Sequence, residues 1–187
     1  MGAQGDRLMA QCGCEWSAPK GWRNFDASPT LRLERVPLLG RLWTKNASRL
    51  PDNAECGDIV KGLPVPAGGV FRLVLPDLRF CANEYVADRS PEAALTFMRA
   101  TSLGREQRAR GLRGLLVLWL GNSAHLWMWD HESMAAELTK AGFCDIRRAV
   151  FHDSLEPCFL DVEDEDRWRD GLGIECRRPG EAATAGA

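Results

Sequence analysis

The chain lacks any apolar run of the about 18 to 20 residues that a membrane-spanning helix needs. Its most hydrophobic stretch, Leu115 to Leu120, is far too short and reads as a buried element. No basic segment followed by an apolar one opens the sequence, so no secretory signal is expected. Asp6 stands where a myristoylation site carries Ser or Thr. There is no Cys-x-x-Cys pair and no zinc-site spacing, so no metal site is expected. Gly-x-Ser-x-Gly, His-Glu-x-x-His and a phosphate loop are all missing, which removes the commonest hydrolase and nucleotidase signatures. The absence of Gly-x-Gly-x-x-Gly argues against a nicotinamide oxidoreductase. A formal net charge of −2 gives no general pull toward nucleic acid or anionic lipid.

What is present is ordinary in bulk: 187 residues, 45% apolar and 27% charged, suiting a single domain over residues 1–178 with a disordered tail over 179–187. The arginines at 105, 108, 110 and 113 read as a solvated helix face. Seven cysteines, an odd number, are scattered through apolar or strand-like stretches, where a thiol behaves as a small hydrophobe. That usage points to a reducing, cytoplasmic setting.

Along the chain, strands are expected at Leu8 to Gln11, Trp22 to Asp26, Val70 to Leu75, Phe143 to Val150 and Leu172 to Cys176. Between them lie a broken helix over 30–43, helical stretches from Pro91 to Leu120, and a helix that Asp130 caps and Gly142 stops. Val70 to Leu75 is nearly all apolar, as a strand covered on both faces would be. Leu172, Ile174 and Cys176 alternate against Gly173, Glu175 and Arg177. The acidic run Asp161 to Asp166 reads as a solvated connection. Strands alternating with helices argue for α/β with a mainly parallel sheet, whose ligands bind beyond the carboxyl ends of the strands. Gly13, Asp26 and Asp58 each sit where a strand gives way to a loop.

Three stretches in order resemble the class I S-adenosylmethionine-dependent methyltransferases, in particular the type-11-like group. The first is Cys12-Gly13-Cys14 with Gly21-Trp22-Arg23-Asn24-Phe25-Asp26. The second is Gly57-Asp58-Ile59-Val60-Lys61-Gly62-Leu63-Pro64, with Gly68-Gly69-Val70-Phe71-Arg72-Leu73-Val74-Leu75-Pro76-Asp77. The third is His125-Leu126-Trp127-Met128-Trp129-Asp130, then Lys140-Ala141-Gly142-Phe143 and the closing Ile174-Glu175-Cys176-Arg177.

The resemblance implies a Rossmann-like sheet with flanking helices and an antiparallel C-terminal strand. S-adenosylmethionine is the implied cofactor, held by Cys12, Gly13, Cys14, Asp26, Asp58 and Ile59. A glycine there admits the cofactor's methionine part, and Asp26 is placed for the ribose hydroxyls. Asp58 and Ile59 would lie near the adenine. The plainer readings are a turn or helix cap at Asp26 and a turn at Gly57-Asp58.

Two departures stand out. The family's Gly-Cys-Gly appears as Cys-Gly-Cys, which sets a side chain where the cofactor's amino-acid end should lie. Relatives also carry a fourth strand and its following helix between the Leu-Pro-x-Pro loop and the Gly-Gly turn. Here Pro66 runs directly into Ala67-Gly68-Gly69, so a unit of roughly 30 residues is missing and a reduced sheet is expected. Loss of that strand, which lies beside the first in the family, exposes backbone groups that a neighbour or a second copy could pair.

His125 is the candidate base, with Asp130 near it in sequence, although a loop or part-buried histidine is the favoured alternative. The leading expectation is a methyltransferase acting on a small molecule or saccharide, the saccharide coming from the resemblance alone. The rival is a non-catalytic binding or interaction protein on the same fold.

Overall fold

A computed structural model describes residues 9–14, 17–36, 49–57, 66–104, 111 and 127–180. The chain divides into two compact units, each with its own three-stranded sheet. The α/β class stands, but in place of one mainly parallel sheet there is one parallel and one antiparallel sheet.

The first unit holds β1 (Ala10–Cys12), β2 (Arg23–Asp26), α1 (Pro29–Glu34) and β3 (Ala54–Cys56). Its strands are all parallel, in the order β1-β2-β3. Helix α1 begins where the sequence permits it. The Ser28 hydroxyl accepts from Leu31 N at 3.2 Å, and Pro29 sits at a position whose N–H needs no partner. Only six residues long, α1 depends on packing rather than propensity. Leu31 is fully buried against Cys14 and Ala54, with Leu50 beside them. Beyond the helix, the Arg35 guanidinium donates to the carbonyls of Asp52 at 2.8 Å and Ala54 at 2.9 Å, fastening α1 to the start of β3. The second half of the expected broken helix, residues 37–43, lies outside the described residues.

The second unit holds β4 (Val70–Pro76), α2 (Leu78–Ala87), α3 (Ala93–Thr101), α4 (His131–Lys140), β5 (Cys144–Ala149), α5 (Glu165–Trp168) and β6 (Gly171–Arg177). The order is β4-β6-β5, with β6 antiparallel to both neighbours, as expected for the last strand. Its alternation is the core of this unit. Leu172, Ile174 and Cys176 are fully buried and pack with Leu138, Phe71, Leu73 and Ile146.

Strand β4 is covered in part on both faces, by the core on one side and the Arg72 network on the other. All seven of its residues are half-buried, and among the described residues only β6 pairs with it over its length. Helix α2 is new. Pro76-Asp77 reads as a stop, yet the Asp77 carboxylate accepts from Arg79 N at 2.8 Å and so starts a helix. Helix α4 follows the sequence closely, with Asp130 and Ser133 forming a reciprocal capping pair. Gly142 follows its end at φ +87°, a conformation that side chains resist.

One arginine organises the irregular segment between β5 and β6. The Arg72 side chain is only 2% exposed and pairs with Asp153 at 2.9 Å, Glu175 at 3.0 Å and Glu163. Its remaining nitrogen donates to Val150 O at 2.6 Å, and the guanidinium lies 4.4 Å from the centre of the Trp168 ring. Arg147 joins Asp153 and Glu175 from the neighbouring strand. The acidic run is therefore not wholly solvated: Glu163 is buried because Arg72 holds it there.

Candidate functional site

Parallel pairing in the first unit brings three loop starts into a row. Cys12 is in register with Phe25, and Asp26 with Cys56, so β1, β2 and β3 end together. Gly13 N donates to Phe25 O at 2.8 Å and Cys14 N to the same oxygen at 3.2 Å. On the other side, Gly57 N donates to Asp26 O at 3.1 Å. Gly13, Asp26 and Gly57 thus line the carboxyl edge of the sheet, the edge where open α/β sheets take ligands.

Each residue is fitted to its place. Gly13 has φ +70°, and a Cβ built on it would meet nothing within 4 Å, so bare backbone faces open space. A Cβ on Gly57 would lie 2.5 Å from Cδ1 of Phe25, so the absence of a side chain lets that ring sit where it does. Cys14 is buried within the apolar cluster of Leu31 and Ala54. The thiol expected to obstruct the glycine loop is therefore in the core, while Cys12 is exposed.

Asp26 is buried, and its Oδ1 accepts from Ser28 N at 2.7 Å. This is the turn that the plainer reading of Asp26 anticipates, and it sets the entry to α1. Asp26 ends the strand next to the one that Gly13 follows, so the turn holds the acid at the carboxyl edge of the sheet.

The other expected site residues are not brought into this row. Asp58, Ile59 and His125 lie outside the described residues. Asp130 belongs to the second unit, where it caps α4 and pairs with Arg79 at 3.1 Å. Hydrogen bonds from the Ser133 hydroxyl and backbone, joined by Arg79, hold its carboxyl down to about 2. A carboxylate with so low a proton affinity is a weak base.

The second unit carries a shallow concavity of about 280 Å³ that the sequence did not signal, lined by Ala149, Val150, Phe151, Trp168 and Arg169 among others. Phe151 and Trp168 meet there at 6.4 Å. Periodicity has no way to mark it, because its walls come from a strand end and a four-residue helix. Among the described residues no cluster of His, Cys, Asp and Glu could hold a metal ion, and no helix is long and apolar enough to cross a membrane. No family model matches the chain, and no curated protein or solved structure matches it either.

Proposed function

We propose that the parallel unit binds the nucleoside part of S-adenosylmethionine, and that the chain is a Rossmann-like methyltransferase acting on a small molecule or saccharide. The observation that carries this reading is that Gly13 follows β1 and Asp26 ends β2 at the same carboxyl edge of adjacent parallel strands. The glycine presents backbone to open space, and the carboxylate is buried one strand away. The residues fit the cofactor's chemistry. A carboxylate at the second strand's end accepts both ribose hydroxyls. Gly13 admits the amino-acid end without a clash, and Cys14 turns its thiol into the core. When bound, the cofactor supplies a methyl group activated on sulfonium for in-line displacement, so the protein's work is positioning.

Two further features support the family reading. The C-terminal strand is antiparallel to both its neighbours. Strand β1 ends its sheet among the described residues, on the side where the family's fourth strand would lie. The same open edge is where a second copy could pair.

The test is a calorimetric titration with S-adenosylhomocysteine. Micromolar binding is expected, and Asp26→Ala should weaken it by about a hundredfold, the loss of two charge-assisted hydrogen bonds. No heat at millimolar ligand would remove the reading. In a second reading the chain binds the cofactor without turnover. It is favoured by the direct run of Pro66 into Ala67-Gly68-Gly69, which lacks the loop that faces the transferable methyl in the family, and by Cys-Gly-Cys in place of Gly-Cys-Gly. Tight S-adenosylhomocysteine binding with no methyl transfer to any acceptor would select that version.

A further inference from the structure

The glycine loop of the first unit is held by a pair of side-chain amides. Asn24, fully buried on β2, donates from Nδ2 to Trp22 O at 3.1 Å and to Pro19 O at 3.3 Å. Its Oδ1 accepts from Gln11 Nε2 at 2.7 Å, and the same Gln11 nitrogen donates to Ser17 O at 2.5 Å. All four amide hydrogens of the pair are thereby used. The surroundings also fix which way Asn24 points, because a reversed amide would aim its oxygen at two carbonyls.

The consequence is geometric. Ser17, Pro19 and Trp22 are tied to Asn24 directly or through Gln11, while Gly13 and Cys14 hang on the next residue's carbonyl, Phe25 O. Ser17 N closes the turn on Cys14 O at 2.8 Å. Asn24 and Gln11 thus fasten both arms of the loop to the strand that carries Asp26. Phe25 O fixes the loop at Gly13 and Cys14, and the amide pair fixes the segment that leads from there back to β2.

We infer that Asn24, with Gln11, is a positioning residue: it holds the loop that runs on from Gly13 against the strand of Asp26 and so sets affinity for a nucleoside ligand at this edge. The ligand part rests on the functional reading above, whereas the loop part is independent of it. Neither amide need touch the ligand.

Two buried thiols make the loop measurable without any ligand. Cys14 is in the loop and Cys176 is in the core of the second unit. Unfolding of the whole chain exposes both, and unfolding of the first unit alone exposes Cys14 but also strips amide protection from β2 and β3. Release of the loop exposes only Cys14 and leaves those amides protected in hydrogen exchange. The experiment measures labelling of each thiol by a small alkylating reagent, and hydrogen exchange in β2 and β3, both mapped by peptide mass, in the unmodified chain, Asn24→Asp and Gln11→Met. Asn24→Asp keeps the shape but replaces both donors with an oxygen facing two carbonyls. Gln11→Met removes the bridge from a half-buried site and is the milder change.

Cys14 labelling is expected to rise about tenfold in either variant with Cys176 unchanged, and S-adenosylhomocysteine affinity to fall by about the same factor. Equal rises at both cysteines, loss of amide protection in β2 and β3 alongside the rise at Cys14, or no rise at Cys14, overturn the inference. If Asn24→Asp does not fold, Gln11→Met decides alone. An unmodified chain that binds no S-adenosylhomocysteine overturns the functional reading, while labelling and amide protection still decide the loop.

Discussion

At the scale of single residues, glycine does two different jobs in this chain. At Gly13 it supplies a backbone conformation, and at Gly57 and Gly173 it supplies room. The difference matters for what a methyl group would cost. At Gly57 the obstacle is the Phe25 side chain, whose ring can swing. At Gly173, in the middle of β6, an added Cβ would lie 2.4 Å from Ala149 O and 2.3 Å from the Trp168 ring. A backbone oxygen in a paired strand cannot withdraw without breaking the ladder. Gly173→Ala should therefore destabilise the protein by about 1–3 kcal/mol, the usual range for overpacking, with Gly57→Ala at the lower end of it. Urea unfolding midpoints of the two variants measure this, and a Gly173→Ala midpoint equal to that of the unmodified chain would disprove it. The sequence places Gly173 on the face of β6 opposite Leu172 and Ile174, but it gives no reason for a glycine there. The reason is a neighbour from β5 and an indole from α5, and neither contact is local.

Between elements, the main device is the arginine on β4. In sequence, Arg72 interrupts an apolar run, and a lone charge in such a run is usually turned outward. Here it is nearly fully buried and has every nitrogen engaged. The buried charge is tolerable only because three carboxylates and a carbonyl surround it. Arg72→Met would leave Glu163 buried without its main counter-charge and Glu175 with Arg147 alone. A loss of about 3–5 kcal/mol is expected, far more than an exposed pair such as Arg79–Glu132 would give when broken. Equilibrium unfolding of Arg72→Met beside Arg79→Met makes the comparison, and equal losses would refute it.

This network also marks where sequence reading runs out. Short-range features were legible: the Asp130 cap, the Gly142 stop, the alternation of β6, and the glycine and acid ending β1 and β2. Each depends on neighbours within a few residues. Helix α2 was missed because it buries none of its residues, so it carries little apolar periodicity. Glu163 was misread because its partner lies 91 residues away on another strand. The division into two separate sheets was not foreseen for the same reason: an apolar run records burial and not which strand lies beside it.

For the molecule as a whole, charge is distributed unevenly between the two units, and this sets its response to acid. The carboxyls of Asp130, Asp153 and Glu175 all lie in the second unit, and all are held below their ordinary values. For Asp153, burial pushes upward, but hydrogen bonds from Arg147, the Val150 backbone and Arg72 outweigh it and bring the group to about 2. Glu175 is likewise lowered, burial being outweighed by hydrogen bonds from Ser154 and Arg147 and by the charges of both arginines. A carboxyl lowered in the folded state stabilises the fold fully above its unfolded value, here 3.8 for Asp and 4.5 for Glu. That contribution is lost as pH falls toward about 2, because the unfolded chain takes up protons first. Among the described residues of the first unit only the carboxyl of Glu55 is lowered, through an exposed pair with Arg23 that contributes little. Acid should therefore loosen the second unit before the first. Peptide-resolved hydrogen exchange between pH 5 and pH 2 (corrected for intrinsic rates) is expected to show β4, β5 and β6 losing protection at higher pH than β1 to β3. Arg147→Met should move that onset to higher pH still, since Asp153 and Glu175 would then have only Arg72 and their remaining hydrogen bonds to set against burial. Simultaneous loss in both sheets, or an onset unmoved by Arg147→Met, would mean that the buried ion network does not govern the acid limit.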